Sequence, residues 1–296
     1  MNANVFVCPF CNGPLVYTVN GFHCAACVRE YPIIDGIPDF FISELDETSL
    51  EKDPVWRENL IWLDQQMADA RDIIYRLSVR ELKGMAFAMQ QVSMRTFPGC
   101  RILEVGTGTG HFACWMAEVS APGTEIYALD YSWPMFAKAR ANIANQSGVI
   151  LFRANSTGKL PFRKESFDLV FLRLAPLGEH GMPNVQAAFQ LLKPGGWLFK
   201  AGWELRREET PWVEGAIQIG YESADVHEWQ YPRTKTREEY DASRVECERA
   251  IAFGAPYDKL PIEPVSLVSS TCENLRIAQK PMASNLDGKE MRPTSG

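Results

Sequence analysis

The sequence predicts an α/β protein with a doubly wound, mostly parallel, seven-stranded sheet, preceded by a small cysteine-rich module. Three observations lead to this prediction. Two Cys-x-x-Cys pairs lie near the start of the chain, a glycine-rich turn joins an apolar strand to a helix within residues 101–118, and strand patterns alternate with helix patterns from there on. Strands that alternate with helices form a parallel sheet, whose ligand binds at the carboxyl ends of the strands.

Composition is that of an ordinary globular protein. The chain has 296 residues, of which 46% are hydrophobic and 23% charged. Its first ten residues lack a basic region followed by an apolar run, and no stretch reaches the roughly 18 apolar residues of a membrane span. We therefore expect a cytoplasmic, soluble protein without a membrane partner. Disulfides are disfavoured in a reducing compartment, so we expect ordinary thiols at the scattered cysteines, which are Cys100, Cys114, Cys247 and Cys272.

The N-terminal cysteines are spaced for a metal site. A Cys-x-x-Cys turn directs two thiolates at one centre, and two such turns complete a tetrahedral shell for structural zinc. An Asn20-Gly21 turn suits a hairpin between the pairs. The redox alternative requires the pair to open a helix, which Pro9 disfavours, and His23 is interpreted as a surface residue because four thiolates already close the shell. The predicted ligands are Cys8, Cys11, Cys24 and Cys27.

The glycine-rich turn predicts a nucleotide-type cofactor. An apolar strand at 102–105 leads into the turn, and a helical pattern follows it. Dinucleotide loops follow Gly-x-Gly-x-x-Gly, whereas here the glycines alternate strictly and His111 stands at the place of the third dinucleotide glycine. Glu104 precedes the alternating set, which is Gly106, Gly108 and Gly110.

Asp130 ends the next strand, "EIYALD", about twenty residues beyond the loop. A carboxylate at this position can accept hydrogen bonds from both ribose hydroxyls of an adenosine. A glycine turn and a surface aspartate are the alternative, which the combination of loop and acid disfavours.

The remaining elements follow in order. A helix end and the third strand are expected in "ANIANQSGVILFRANS", and the fourth and fifth strands in "SFDLVFLRL" and "WLFKAGWE". A helix stopped by Pro-Gly-Gly is expected in "NVQAAFQLLKPGG", and late strands in "PVSLVSS" and "LRIAQK". Amphipathic patterns within 54–92 predict helices that form either simple packing or a lid. The predicted organisation is a zinc-binding module at 1–42, a helical linker or lid at 43–98, a main domain at 99–281 with an aromatic-rich insertion at about 203–260, and a disordered tail at 282–296.

Taken together, "LEVGTGTG", Asp130, "LPF" at 160–162, "FDLV" at 167–170 and "LLKPGGWL" at 191–198 resemble the class I methyltransferases that use S-adenosylmethionine and have a Rossmann-like sheet. The resemblance implies that Glu104 and the three glycines shape the methionine pocket, and that Asp130 holds the ribose. It implies further cofactor contacts from Tyr131, Asn155, Ser156, Thr157 and Arg173. The family commonly has an aspartate where this chain has Ser156.

The N-terminal segments "CPFCNGPL", "CAAC" and "YPIIDGIPDF" resemble the small zinc domain that activates methyltransferases acting on RNA and on a release factor. The stretch "NSTGKLPFRKESFDLVFLRLAP" resembles the ribosomal RNA guanine-N1 methyltransferases, which also begin with a zinc module. Those enzymes usually have a histidine as the fourth ligand, where this chain has Cys27.

Charge argues against an RNA substrate. The formal net charge is -7, and residues 1–44 contain one basic residue against four acidic ones, whereas nucleic-acid affinity depends largely on neutralising phosphates. The basic run "RTKTR" at 233–237 is followed by acids, and we interpret it as a solvated helix start. We therefore expect a small-molecule partner, with RNA disfavoured.

An aromatic-rich insertion suits a flat apolar ligand, although each ring is at least as readily explained by core packing; the rings are Trp203, Trp212, Tyr221, Trp229 and Tyr231. His180 is the candidate general base, against the alternative of an exposed loop histidine, and Arg173 and Glu179 are weaker options.

The predicted function is an S-adenosylmethionine-dependent methyltransferase that acts on a small, largely apolar molecule, such as a secondary metabolite. The alternatives are an RNA methyltransferase and a non-catalytic cofactor-binding module.

Overall fold

The computed structural model describes residues 3–42, 65, 68–69, 72, 83–155, 159–173, 182–203, 210–230 and 272–282. After a short 3-10 turn at Ala3–Val5, the strands are β1 Leu15–Thr18, β2 Gly21–Cys24, β3 Glu30–Ile34, β4 Ile37–Pro38, β5 Arg101–Val105, β6 Glu125–Asp130, β7 Val149–Arg153, β8 Phe167–Arg173, β9 Leu192–Trp203, β10 Ser223–Gln230 and β11 Cys272–Gln279. The helices are α1 Lys83–Arg95, α2 His111–Val119, α3 Trp133–Asn142, α4 Met182–Leu191 and α5 Thr210–Ile219.

The large sheet has seven strands in the order β10-β11-β9-β8-β5-β6-β7. The strands from β9 to β7 are parallel, and β11 runs antiparallel to both β9 and β10. The chain builds outward from β5 in both directions, so the strand order reverses between β5 and β8. In such sheets the ligand crevice lies at this reversal, outside the carboxyl ends of the strands. This architecture confirms the predicted α/β class.

One strand of the sheet differs from the prediction. The aromatic insertion predicted from the sequence includes Ser223–Gln230, whereas the structure pairs this segment along its whole length with β11. The polar and charged residues of "SADVHEWQ" give weak strand signals, and the cross-strand partner lies far away in the sequence. The expected strand "PVSLVSS" lies outside the described residues.

Two apolar layers sandwich the large sheet. On one face, α1, α2 and α3 pack against the strands through buried side chains that include Val92, Phe112, Phe136, Ile102, Ile126 and Phe171. On the other face, α4, α5 and the N-terminal residues pack through side chains that include Val185, Ala216, Phe6, Phe22, Leu103 and Tyr127.

The N-terminal module, residues 3–42, is a four-stranded sheet in the order β1-β2-β3-β4 that packs directly on the large sheet. Phe6 pairs with Phe162 in an antiparallel bridge, and its ring lies 5.2 Å from that of Phe162 and 6.0 Å from that of Phe152. After β4, Asp39 pairs with Arg153 in a parallel bridge at the edge of the large sheet. The module therefore covers one face and one edge of the sheet at β7.

Most of the predicted linker at 43–98 and nearly all of the predicted tail lie outside the described residues. The described part of the linker includes α1 and single helical residues at 65, 68, 69 and 72. Among the described helices, none combines the length and the apolar character that a membrane crossing requires.

Candidate functional site

The glycine loop connects β5 to α2 at the carboxyl edge of the sheet. Gly106 and Gly108 have φ angles of 83° and 54°, in the left-handed region that favours glycine. A Cβ atom at Gly106 would lie 2.7 Å from the carbonyl oxygen of Arg173, so the close approach of β8 excludes any side chain there. Among the described residues, no atom lies within 4 Å of a Cβ placed at Gly108, so this turn of the loop has an open side with respect to them.

Asp130, at the end of β6, is connected to the loop by hydrogen bonds. Its Oδ2 accepts a hydrogen bond from the amide of Gly108 at 2.7 Å, and its Oδ1 accepts from the amides of Tyr131 and Ser132 at 2.8 and 3.1 Å. Three backbone donors thus fix the orientation of the carboxylate, two at Oδ1 and one at Oδ2. The side chain is buried beside the open side of Gly108.

Glu104 is fully buried beneath the loop. Its Oε2 accepts a hydrogen bond from the Thr107 hydroxyl at 2.7 Å, while its Oε1 has no hydrogen-bond partner within the described part of the chain. Desolvation raises the pKa of Glu104 to about 7, although the positive charge of Arg173 opposes this shift. An unpartnered, buried carboxyl oxygen at the edge of a cofactor loop suits a cationic donor group on a ligand.

Arg173 ends β8, the strand that pairs with the strand of Glu104, and its positive charge opposes the rise that desolvation gives to the pKa of that carboxyl group. It is buried, and its guanidinium lies 3.4 Å from the ring centroid of Phe112. Glu104 and Arg173 therefore face the same side of the sheet as α2, near the reversal of strand order. Tyr131 is exposed, and Asn155 follows β7 at the same edge. The other predicted residues, Ser156, Thr157, Glu179 and His180, lie outside the described residues.

A buried polar group at the start of α2 was not predicted. His111 Nε2 lies 3.1 Å from Asp72 Oδ1, and Asn142 of α3 donates to the same carboxyl oxygen at 2.7 Å and to the carbonyl of Thr109 at 2.9 Å. The group ties the loop to α3 and to a helical residue of the linker. His111 drew attention only as a departure from the dinucleotide pattern, because its two partners lie far away in the sequence.

The four N-terminal cysteines come together. All four Sγ atoms lie within 4.8 Å of one another, with Cys8 and Cys27 at 3.6 Å and Cys11 and Cys24 at 3.5 Å. A tetrahedral zinc ion with bonds of about 2.3 Å requires sulfur separations of about 3.8 Å, so the cluster fits this ion. The Tyr31 hydroxyl lies 3.0 Å from the Cys8 sulfur, on the buried side of the cluster.

The two Cys-x-x-Cys turns have the same backbone geometry. Asn12 and Val28, which each follow the second cysteine of a pair, both have a φ of 60°. Their amides donate to the carbonyls of Cys8 and Cys24, each at 2.8 Å. A left-handed φ is costly for a β-branched residue such as Val28, and strain of this kind persists only where the surroundings fix it. The repeated geometry is what two metal-binding turns around one centre require.

Two rings of the predicted aromatic insertion lie in the core instead of lining a cleft. Trp212 is buried on α5, and Tyr221 is buried with its hydroxyl donating to the carbonyl of Val185 at 3.1 Å. Both belong to the apolar layer beneath α4 and α5. The side chains of Trp203 and Trp229, and the whole of Tyr231, lie outside what the structure describes.

Comparison with known proteins identifies the central part of the chain. Residues 102–196 match the family model described as a methyltransferase domain. An arsenite methyltransferase from Halobacterium salinarum is 31% identical over 105 residues, which is 33% of this chain and 26% of that protein. A demethylmenaquinone methyltransferase from Thermus thermophilus is 32% identical over 102 residues, which is 33% of this chain and 44% of that protein. The matched segment is thus similar to a methyltransferase domain, and the chain spans less than half of the length of either relative.

A solved structure is similar over a larger part of the chain. It is a Haemonchus contortus phosphoethanolamine N-methyltransferase 2 in complex with S-adenosyl-L-methionine, 18% identical to this chain, with a TM-score of 0.48 over 68% of this chain and 53% of that one.

Proposed function

We propose that the protein is an S-adenosylmethionine-dependent methyltransferase that acts on a small, largely apolar molecule. One observation carries the proposal: the Asp130 carboxylate lies beside the open side of the loop at Gly108. The Gly108 amide donates a hydrogen bond to Asp130 Oδ2 at 2.7 Å. This arrangement offers a backbone cradle and a ribose acceptor side by side, within the segment that matches a methyltransferase domain.

The residues around the loop fit such a cofactor. Asp130 accepts the ribose hydroxyls, the Glu104 carboxyl group receives the ammonium of the methionine part, and the open face of Gly108 leaves room for the ligand backbone. Tyr131 lies beside the adenine, and Arg173 lies at the methionine end of the cofactor. Asn155, Ser156 and Thr157 are proposed to contact the adenine amine.

When bound, the cofactor would supply a methyl group attached to a sulfonium sulfur, and the acceptor would attack the methyl carbon in line with the carbon–sulfur bond. The contribution of the protein is to align the acceptor and to exclude water, an effect worth up to several kcal/mol. A base is required only where the acceptor must lose a proton before or during transfer, and His180 remains our proposed base. In the sequence His180 follows β8, whose last residue, Arg173, adjoins the glycine loop at Gly106.

A small-molecule substrate is supported by charge and by the relatives. The net charge of -7 and the acidic N-terminal module disfavour a phosphate track. The two relatives are named for arsenite and for demethylmenaquinone, which are small molecules.

The cysteine cluster is proposed to hold a structural zinc ion. Four thiolates complete the shell, whereas a catalytic zinc ion keeps one position open for water or substrate. The strained Val28 and the repeated turn geometry support this assignment.

The substrate class is tested by incubating the protein with methyl-labelled S-adenosylmethionine against separate fractions of total RNA, protein and metabolites. We expect label in the metabolite fraction. Label in RNA alone would establish the nucleic-acid alternative, and binding of the cofactor without transfer to any fraction would support a non-catalytic module.

Salt provides a second test of the substrate class. An enzyme with several phosphate contacts loses orders of magnitude in affinity between about 50 and 200 mM salt, whereas the binding of an apolar ligand is nearly unchanged or improved. The expected result is a Michaelis constant that does not rise with salt. A steep rise, together with binding of structured RNA, would contradict the proposal.

A further inference from the structure

We propose that Arg153 is a positioning residue for the ribose-binding carboxylate, and that Asp39 of the N-terminal module holds Arg153 in place. The module thereby contributes to cofactor affinity without touching the cofactor. This inference rests on the proposed function, because it assumes that Asp130 binds the ribose.

The peptide unit between Tyr131 and Ser132 connects Arg153 to the Asp130 carboxylate. A trans peptide is planar, so its C=O and its N–H point in opposite directions. The Tyr131 carbonyl accepts a hydrogen bond from Arg153 Nε at 2.7 Å, and the Ser132 amide donates to Asp130 Oδ1 at 3.1 Å. Arg153 therefore holds the carbonyl end of the peptide whose amide end orients the carboxylate.

The position of Arg153 in the sheet makes this contact short. Arg153 is paired with Asp130 in the register of β6 and β7, and the amide of Ala154 donates to the Asp130 carbonyl at 3.1 Å. Its side chain therefore needs to span only the gap between these two neighbouring strands to reach the turn that follows β6. The turn continues into α3, whose first residues are held by the Ser132 hydroxyl accepting from the Met135 amide at 3.2 Å.

An ion pair with Asp39 connects Arg153 to the N-terminal module. Its Nη1 lies 3.2 Å from Asp39 Oδ2, and both side chains are largely buried, with 17% and 11% exposed. Asp39 is fixed in turn, because its Oδ1 accepts from the Phe41 amide at 3.0 Å and its own amide donates to the Pro32 carbonyl at 2.8 Å.

Only an arginine can make both contacts in this geometry. Its planar guanidinium donates from Nε toward the turn and from Nη1 toward the module, and a lysine offers a single point charge. The guanidinium also lies 4.1 Å from the ring centroid of Phe41 in the module and 5.3 Å from that of Trp133 in α3. The Arg153 side chain thus lies between the Phe41 ring of the N-terminal module and the Trp133 ring of α3.

The test is calorimetric binding of S-adenosylhomocysteine to the full chain and to three variants. Arg153→Met removes the contact to the peptide, and Asp39→Asn keeps the size of the side chain while removing its charge. Lys193→Met is the matched control, because it breaks a 2.9 Å ion pair with Asp168 at the opposite, amino-terminal end of β8. We expect Kd to rise about threefold to tenfold for Arg153→Met, less for Asp39→Asn, and less than twofold for Lys193→Met.

The stoichiometry of binding separates positioning from mere folding. A variant with part of its molecules unfolded binds fewer ligands per chain at an unchanged Kd, whereas lost positioning raises Kd at full stoichiometry. An unchanged Kd for Arg153→Met would overturn the inference. An unchanged Kd for Asp39→Asn beside a raised Kd for Arg153→Met would overturn the part assigned to the module. Failure of the unsubstituted chain to bind S-adenosylhomocysteine would instead refute the proposed function.

Discussion

Phe6 of the N-terminal module and Tyr127 of β6 meet edge to face, with ring centroids 5.7 Å apart and an interplanar angle of 72°. Both side chains are fully buried. The ring of Phe6 also contacts Phe152 and Phe162, so the module shares its apolar core with the large sheet. The cysteine cluster is therefore attached to a structural layer of the domain and is not an appendage on a linker.

Replacement of Phe6 by alanine is expected to destabilise the protein by about 3 to 5 kcal/mol, because it removes a buried ring and leaves a cavity among aromatic neighbours. Phe10→Ala is the matched control, since Phe10 lies in the same module and is 42% exposed. Urea unfolding measures both variants. Equal, small losses for the two variants would contradict the shared core.

Replacement of Val28 by asparagine is expected to stabilise the protein by about 1 kcal/mol, because asparagine tolerates the left-handed φ that is costly for valine. The equivalent position in the first cysteine turn is already Asn12. Val19→Asn, at a position that is 92% exposed and has no positive φ, serves as the control. The midpoint of thermal unfolding is the readout, and a fall for Val28→Asn would show that the valine makes contacts that outweigh its strain.

Metal removal is expected to lower the stability of the whole domain, since the buried Cys8 and Cys24 belong to its core. Elemental analysis should find one zinc ion per chain, and Cys24→Ser should reduce this content, whereas Cys114→Ser, outside the cluster, should not. Thermal unfolding with and without a chelator gives the change in stability. Chains that contain no zinc and are insensitive to chelation would exclude the metal assignment.

Replacement of Asp130 by alanine is expected to weaken S-adenosylhomocysteine binding by about 1.5 to 3 kcal/mol for each charged hydrogen bond lost. The exposed Asp225 of β10 provides the control, Asp225→Ala. NAD should not bind measurably to either protein. Calorimetry that finds the same affinity with and without Asp130 would refute its role at the ribose.

The stability of the unliganded protein is expected to fall as pH rises toward neutrality because of Glu104. Burial raises the pKa of this carboxyl group from 4.5 to about 7. An unfolded chain releases the proton near pH 4.5, so the stabilisation by neutral Glu104 is fully present below about 4.5 and is lost as pH rises through about 7. Urea midpoints measured across this window should fall less steeply for Glu104→Gln.

Glu118→Gln, on the exposed side of α2, provides the comparison for this pH series. It should reproduce the pH dependence of the unsubstituted protein. If Glu104→Gln follows the same curve as well, the raised pKa does not govern stability in this window.

Features encoded by short-range spacing could be predicted from the sequence. Each of three features depends on residues a few positions apart: the cysteine turns, the alternating glycines and the strand that ends in Asp130. The structure brings the four cysteines into one cluster and joins Asp130 to the glycine loop. The Asp39 and Arg153 pair could not be predicted, because its members are 114 positions apart and no local pattern connects them. The strand at Ser223–Gln230 was missed for a related reason, since pairing with β11 overrides its weak local preference.

The position of Phe6 has a consequence for how the chain folds during synthesis. The module leaves the ribosome before the strand and loop residues that cover Phe6, and at 5 to 20 residues per second the delay is on the order of ten seconds. Throughout this interval an aromatic ring and the apolar side of the module face water. If the proposed zinc ion binds at this stage, it would keep the two cysteine turns closed until β7 and Phe162 are synthesised.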